Sequence, residues 1–457
     1  MKMVKSLLLG TAAGVVAMAG AQAADLPVKA KPVQYVKICS LYGAGFYYIP
    51  GTDTCIKIGG YVRAEVNIGH MGGSGSTPGT VYLNNRNEFF QDWRTRAAWT
   101  LDARSQTEFG TLRAYLFASA TSDNSGTSNS AAPAPNDSGV VSGYVRLYAP
   151  VAFIQWAGFT VGKTNTFFDF DGNPYTNTTV YWGSAEGGNG VQVWAYTAQF
   201  GNGLSATLSI ENAAAFRNGI YSPAAGFGTY AQQSWPDIVA NLRIDQAWGS
   251  AQVMGAVHDV TVATSVAGTH PGDQAGFAIG AGLKFNLPMI GKGDYVIGQF
   301  TYTKGALHYI DGNNELGTMQ TVYNGLPITS AAYGPAYDAV LTGGLTTMDL
   351  TEGWDFTGGF EHHWNPNWKT SLWGDYGKIS YSTAASASLG STNADWSLWQ
   401  IGSRTVWSPV ENLDLSAEIL YHSMSSAATG AYNTGGYPIK NQDWVSGMFR
   451  VQRNFYP

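Results

Sequence analysis

The chain has 457 residues, of which 12% are charged and 13% are aromatic. That charged fraction is about half of the roughly 25% expected of a soluble globular protein. Without Lys2 and Lys5, which lie in an apparent leader, 23 of the 25 basic residues remain against 31 acidic ones. The resulting net charge of −8 excludes a nucleic-acid binder that relies on a basic surface.

Residues 1–23 have the pattern of a secretory signal peptide. Lys2 and Lys5 precede an apolar stretch over about residues 7–18, and small residues follow at Ala21 and Ala23. The stretch is shorter than the roughly 20 apolar residues that a membrane-spanning helix needs. We therefore expect export by the Sec pathway and cleavage after Ala23. An N-terminal segment over residues 24–55 and a β-barrel domain over residues 56–457 would follow.

Apolar and polar side chains alternate along the rest of the chain. Val62, Ala64, Val66 and Ile68 share one side of a predicted strand, opposite Arg63, Glu65 and Asn67. Such alternation predicts sixteen strands, over residues 56–68, 88–104, 107–120, 142–156, 158–165, 190–200, 203–211, 236–247, 249–260, 276–288, 293–303, 349–363, 367–380, 395–407, 411–423 and 442–455. No apolar run after the leader could form a membrane-spanning helix, so a membrane crossing would use strands.

Short turns and long loops alternate between these strands. Residues 200–203 and 364–367 are short and contain Gly, Pro or Asn, whereas the Ser- and Gly-rich residues 119–139 form a long connection. An even strand number with short turns on one rim is typical of an all-β, antiparallel up-and-down outer-membrane barrel. A soluble β-sandwich, propeller or β-helix is the alternative. The absence of a fixed repeat period and the aromatics near strand ends, such as Trp93, Trp396 and Trp407, favour the membrane barrel.

Arginines of the polar parity fall on consecutive predicted strands. If the apolar parity faces lipid, these side chains face the lumen and build one basic wall; they are Arg63, Arg94, Arg96, Arg113 and Arg146, with Arg104 beside them. The opposite assignment would place each arginine in lipid, where it would destabilise the barrel by about 2–4 kcal/mol near the midplane. Arginines that are merely scattered and solvated are the alternative.

The connection after the fifth strand differs from the other long loops. It contains Phe167, Phe168, Phe170 and Tyr175, together with the carboxylates Asp169, Asp171 and Glu186. Apolar side chains in a loop need a packing partner, so we expect this loop to fold into the barrel and present its carboxylates to the basic wall. Ring charges and pore diameter would then set the selectivity of the pore. A surface loop with local aromatic packing is the alternative.

The sequence shows no pattern of a catalytic, metal or cofactor site. The segment "DFDGN" fails as a calcium loop because its glycine stands at the fourth position rather than the sixth. His362 and His363 are adjacent, so strand geometry would point them to opposite faces. No nucleophile elbow follows a strand. We therefore expect no enzyme, no metal and no cofactor.

Cys39 and Cys55 are the two cysteines of the chain. In an exported protein an even pair predicts a disulfide, and two buried free thiols are the alternative.

The segment "CSLYGAGFYYIPGTDTCIKIGGYVR", Cys39 to Arg63, resembles the N-terminal signature of the alphaproteobacterial general porins. The likeness extends through "ADLPVKAKP", "VGKTNTFFDF" and "FRVQR" over essentially the whole mature chain. It implies a sixteen-stranded outer-membrane porin, usually a homotrimer, that passes small hydrophilic solutes and ions passively through a pore constricted by its third external loop.

The resemblance also implies roles for particular residues. It assigns Asp169, Asp171 and Glu186 to the acidic side of the constriction and Arg63, Arg94, Arg96 and Arg113 to its basic side. Ala64, Ala114 and Ala118 would allow close packing at a trimer contact. Outer-membrane lipid and lipopolysaccharide would surround the barrel. Two alternatives remain, a substrate-selective channel and a structural or adhesive barrel, the latter suggested by the long stretch 303–347.

The last predicted strand ends in an aromatic pattern. Phe449, Val451 and Phe455 share the apolar parity and form the expected C-terminal strand signal. Tyr456 and Pro457 extend beyond the terminal phenylalanine at which outer-membrane porins characteristically end.

Overall fold

The structure is a computed structural model, and it describes residues 37–69, 90–123, 145–170, 182–183, 190–223, 230–263, 270–310, 334–425, 427 and 441–455. The predicted signal peptide and the terminal Tyr456 and Pro457 lie outside the described residues, as do residues 311–333 of the long stretch 303–347.

Sixteen antiparallel strands form one closed barrel. They are β1 Cys55–Gly69, β2 Phe90–Thr107, β3 Gly110–Asp123, β4 Val145–Trp156, β5 Phe159–Thr164, β6 Val191–Gly201, β7 Leu204–Asn212, β8 Asp237–Gln246, β9 Gly249–Val260, β10 Gln274–Asn286, β11 Tyr295–Lys304, β12 Glu352–Asn365, β13 Trp368–Ser380, β14 Trp396–Val410, β15 Leu413–Ser425 and β16 Gln442–Asn454. Each strand pairs with its neighbours in sequence, and β16 pairs with β1 from Tyr61↔Asn454 to Gly69↔Ser446. The predicted fold is confirmed, and no strand end differs from its predicted position by more than three residues.

The predicted parity also holds. On β1, Val62 is 50% exposed on the outer face whereas Glu65 is 4% exposed on the inner face. On β16, Val445 and Phe449 are similarly exposed outside, as is Phe455 directly after the strand, and Met448 and Arg450 are buried inside. Successive strand residues point to opposite faces, so the outer face is apolar and the lumen carries the polar and charged groups.

The two rims of the barrel differ, and we name them the turn rim and the loop rim. Two-residue turns at 108–109, 157–158, 202–203, 247–248, 366–367 and 411–412 close the turn rim, and the connection over 287–294 is longer. Several of these turns need a left-handed residue, such as Asn202 (φ 49°) and Asn412 (φ 63°), and asparagine tolerates that conformation. Outward-facing aromatics gather near this rim, including the stacked pair Trp368 and Trp407 at 5.5 Å.

Short elements decorate the connections. The 3₁₀ turns are Ser40–Tyr42 and Leu307–Tyr309, and the helix Thr383–Ser388 is capped by the Ser382 hydroxyl, which accepts from the Ala385 amide. Tyr47–Tyr48 pairs with β1, and the strands Ile220–Tyr221, Ala339–Thr342 and Thr347–Leu350 form a small separate sheet. Among the described residues, no helix is long and apolar enough to cross a membrane.

A disulfide joins Cys39 to Cys55, as predicted, with Cα atoms 6.0 Å apart. It holds the N-terminal segment against the lumen at the turn rim. There Phe46 is buried with its ring 4.9 Å from the Arg104 guanidinium, and Lys57 donates to the Ala44 carbonyl at 3.3 Å.

Replacing both cysteines with serine should release this segment. Because a closed loop of about fifteen residues stabilises by about 3 kcal/mol, we expect the free energy of unfolding to fall by about that amount. Urea unfolding in detergent micelles measures the change. As a control, thiol labelling of denatured, unreduced wild-type protein should find no free thiol, and detection of two thiols would contradict the bridge.

Candidate pore constriction

The connection between β5 and β6, which we call the inward loop (residues 165–190), enters the lumen. The structure describes its residues 165–170, 182–183 and 190. Phe168 is fully buried in a cluster with inner-wall side chains of β8 to β11; these include Val239, Met254, Ala256, Ala278 and Ile297. The aromatic ring therefore fixes the start of the loop on this wall by apolar burial.

Polar side chains of the same wall hold the backbone of the inward loop. Glu211 on β7 accepts from the Phe167 amide at 3.0 Å, and Gln299 on β11 accepts from the Phe170 amide at 3.0 Å. Arg243 on β8 donates to the Phe170 carbonyl at 3.0 Å. Because these groups are partly or wholly buried, each bond also satisfies a polar group that water does not reach.

Two inward-facing glycines make room for aromatic rings of the loop. A Cβ at Gly282 on β10 would lie 2.1 Å from the Phe170 ring, and one at Gly377 on β13 would lie 2.5 Å from the Trp182 ring. Trp182 also donates from Nε1 to the Leu398 carbonyl at 3.0 Å. Any side chain at either glycine would therefore displace the loop.

Trp396 departs from the expected interface position. It lies on the inner parity of β14, is 2% exposed, and stacks on Trp182 at 5.7 Å between ring centroids. Sequence parity could have indicated this, because Trp407, eleven residues away, faces outward. Trp396 thus anchors the inward loop rather than the membrane interface.

A small cavity of about 20 Å³, enough for about one water molecule, lies under the inward loop. Rings of Phe170, Trp182 and Trp373 line it together with Gln299 and Thr357. It adjoins the inner wall of β11, β12 and β13, where Gln299, Thr357 and Asp375 face one another across the strands.

The opposite wall is basic and is built on β16, β1, β2 and β3. Glu65 pairs there with Arg94, and with Arg450 at 2.5 Å, while Arg63 lies 4.0 Å away. Asp102 accepts from Arg104 at 2.7 Å and from Arg113 at 2.9 Å. Because β1 and β9 are eight strands apart in a ring of sixteen, the arginines lie across the lumen from the start of the inward loop.

Residues 25–448 match a protein family described as "Porin subfamily". The chain belongs to this porin family. Among its relatives, porin Omp2b of Brucella abortus (strain 2308) is 35% identical over 253 residues, covering 54% of this chain and 64% of that protein. Porin Omp2a of Brucella melitensis is 36% identical over 257 residues, again covering 54% of this chain and 64% of that protein.

The matches thus span 64% of each relative, less than two thirds of its own length. Among solved structures, the outer-membrane channel DcaP of Acinetobacter baumannii superposes with a TM-score of 0.61 at 14% identity, covering 89% of this chain and 99% of that one. This likeness supports the fold alone. The family resemblance drawn from the sequence is confirmed, and this porin is an outer-membrane barrel.

The structure places four of the predicted basic residues of this porin on one inner wall. Arg63, Arg94, Arg96 and Arg113 all face the lumen, where Arg63 donates to Gln452 at 2.9 Å and Arg96 donates to Thr121 at 2.8 Å. Arg146 lies on β4, and its side chain is outside the described residues.

The predicted acidic residues are only partly described. Asp169 lies in the inward loop, between two rings that pack on the wall, and its carbonyl accepts from Gln252 at 3.3 Å. Asp171, Glu186 and Tyr175 are outside the described residues. The constriction roles of these side chains remain predictions.

Several charged residues of the lumen were absent from the predicted site, among them Glu65, Arg450, Asp355 and Asp375. Glu65 and Arg450 tie β1 to β2 and β16, and Asp355 and Asp375 are buried on the inner face of β12 and β13. Neither of these aspartates has an ion-pair partner among the described residues. All four stand on the inward parity of predicted strands, and that parity is the sequence signal that could have found them.

Proposed function

We propose that this porin is a passive diffusion channel for small hydrophilic solutes and ions. The observation that carries the proposal is the inward loop, whose aromatic side chains and backbone are held on the wall of β7 to β11 while arginines occupy the wall across the lumen. A loop that narrows a porin-sized barrel sets its diameter, and opposed charges set a transverse field in it.

Planar-bilayer recording of the purified protein tests the proposal. We expect stepwise, ohmic conductance increments in potassium chloride. Absence of such steps from correctly folded protein would contradict a diffusion channel and favour a structural or adhesive barrel.

We further propose that three copies assemble around β1 to β3. Ala64 and Ala114 are exposed on the outer face of these strands, and Ala118 is half-buried there, so small side chains would let the barrels approach closely. Light scattering of the detergent-solubilised protein distinguishes a trimer from a monomer.

The acidic side of the channel can be tested by neutralising its predicted carboxylates. We expect Asp169→Asn with Asp171→Asn to shift the reversal potential toward anions, by part of the ~59 mV per tenfold gradient that perfect selectivity would give. The measurement is reversal potential under a potassium chloride gradient. Asp273→Asn, which removes a half-exposed carboxylate from a different connection, is the matched control and should leave it unchanged. An unchanged value in the double variant would place both carboxylates outside the field.

A substrate-selective channel is the alternative to simple diffusion. Saturating conductance block by one solute, with no block by others of similar size, would support selectivity over simple diffusion.

A further inference from the structure

Three side chains with metal-binding chemistry meet in the half of the barrel near the loop rim. Asp237 begins β8, and His258 lies on β9 where the pairing Ile238↔Val257 makes the two residues direct neighbours. His308 reaches them from the 3₁₀ turn Leu307–Tyr309 that follows β11. All three are buried, so two rigid strands and one loop bring their polar groups together away from solvent.

The carboxylate of Asp237 faces two imidazole nitrogens. His258 Nδ1 lies 2.7 Å from Asp237 Oδ1, and His308 Nε2 lies 3.4 Å from Asp237 Oδ2. The two rings are 4.9 Å apart between centroids. One ligand atom from each residue lies within 4.8 Å of the others.

The hydrogen bonds around His258 restrict what its Nδ1 can bind. The Tyr230 hydroxyl donates to Asp338 Oδ2 at 2.9 Å, so its oxygen is left to accept from His258 Nε2 at 3.3 Å. With its proton on Nε2, a neutral His258 would aim the lone pair of Nδ1 at a carboxylate oxygen. The 2.7 Å contact between His258 Nδ1 and Asp237 Oδ1 needs a proton between the two atoms or, at a longer separation, a metal ion.

The surroundings favour a cation. Asp338 lies beside the three residues and accepts from the Leu307 and Asn218 amides at 2.7 and 2.9 Å, in addition to Tyr230. The Arg217 guanidinium stacks on the Tyr230 ring, 4.4 Å from its centroid. Asp237 and Asp338 thus supply two negative charges around the imidazoles, and Arg217 lies 3.7 Å from a third carboxylate, that of Asp259.

We propose that Asp237, His258 and His308 bind a divalent transition-metal ion of the Zn²⁺ class. Two imidazoles and one carboxylate are a common ligand set for zinc, at about 2.0–2.2 Å from the metal. Tetrahedral ligands at those lengths are roughly 3.3 Å apart, which the Asp237–His308 separation of 3.4 Å already meets. His258 Nδ1 lies 2.7 Å from the other carboxylate oxygen, Oδ1, and this hydrogen-bonding separation would have to open to admit the ion. Tyr309, which donates to Asp237 Oδ2 at 2.7 Å, and Tyr230 would orient the ligands from outside.

The metal would link the 3₁₀ turn after β11 to the inward loop. Tyr309 adjoins the ligand His308, and its ring packs on Phe168 of the inward loop at 4.5 Å. A bound ion would therefore hold the 3₁₀ turn after β11 and, through Tyr309, brace the ring that fixes the inward loop. This role concerns the stability of the constriction and is independent of which solutes the channel passes.

Metal content of the detergent-solubilised porin tests the site. Chelator-washed protein is dialysed against zinc chloride with a large excess of magnesium, and bound zinc is counted by mass spectrometry. We expect one zinc per wild-type chain. His308→Gln should weaken binding by about 100-fold or more, and Tyr230→Phe by about 10–100-fold as an outer-shell change. His270→Gln, a half-exposed histidine outside the cluster, is the matched control and should bind as wild type.

X-ray absorption at the zinc edge provides the second readout. We expect a first shell of nitrogen and oxygen atoms with two imidazoles in wild type, and its loss in His308→Gln. Equal zinc content in wild type and His308→Gln, with both folded by heat-modifiable mobility, would overturn the proposal and assign the charge at His258 to a proton. Loss of zinc from His270→Gln would overturn it as well, because it would place the ion elsewhere.

Discussion

Replacing Glu65 with glutamine is expected to make the channel more anion-selective and to lower the free energy of unfolding by about 3–5 kcal/mol. The Glu65 carboxylate is buried between Arg94 and Arg450, with Arg63 close by. Its removal would leave guanidinium groups in the lumen without their counter-charge, and breaking a buried pair is costly for the partner left behind. Reversal potential and urea unfolding in micelles measure the two effects.

Glu352→Gln is the matched control for this change. Glu352 pairs with Lys304 at 2.8 Å, but both side chains are more than a third exposed. Exposed pairs contribute about 0–1 kcal/mol, so stability should change little. If Glu65→Gln and Glu352→Gln had equal, small effects, the arginines around Glu65 would have to be solvated rather than held by its charge.

A Gly282→Ala substitution is expected to raise single-channel conductance and its noise. The added methyl group would lie 2.1 Å from the Phe170 ring, closer than any relaxed contact, so the ring must leave the wall of β10. Phe170 is tied by its backbone to Gln299 and Arg243, and moving it would shift the inward loop. Overpacking of this kind costs about 1–3 kcal/mol, which urea unfolding would register beside the electrical recording.

The control for Gly282→Ala is Gly255→Ala on the neighbouring strand β9. A Cβ at Gly255 would meet its nearest atom, the Ala278 carbonyl oxygen, at an ordinary 3.7 Å. Conductance and stability should stay at wild-type values. Unchanged conductance in Gly282→Ala would mean that Phe170 does not hold the loop in its narrowing position.

Local alternation determined the barrel before any tertiary information. A strand has a side-chain period of two, so one apolar parity assigns every residue of that strand to lipid or to lumen. This is why the sixteen strands, the outward Val62 and Phe449, and the inward Arg63 and Arg94 could all be predicted. The disulfide was predictable as well, because two cysteines in an exported protein usually pair in an oxidising compartment.

Parity gives the face of a side chain but not its partner. Trp396 was assigned to the membrane interface for its residue type, although its partner is Trp182 inside the lumen. Nothing in the sequence around Gly282 and Gly377 indicates which aromatic rings pack against them. These contacts depend on where the inward loop lies on the wall, and a loop has no periodicity from which to read its path.

The alternating sequence by itself thus determined how many strands cross the membrane and which side chains each turns to the lumen. Closure of the barrel decided the rest, because it brings together residues that are far apart in the chain. Glu65 and Arg450 are 385 positions apart and meet only because β16 pairs with β1. Asp237, His258 and His308 likewise meet only because the turn after β11 folds back over β8 and β9.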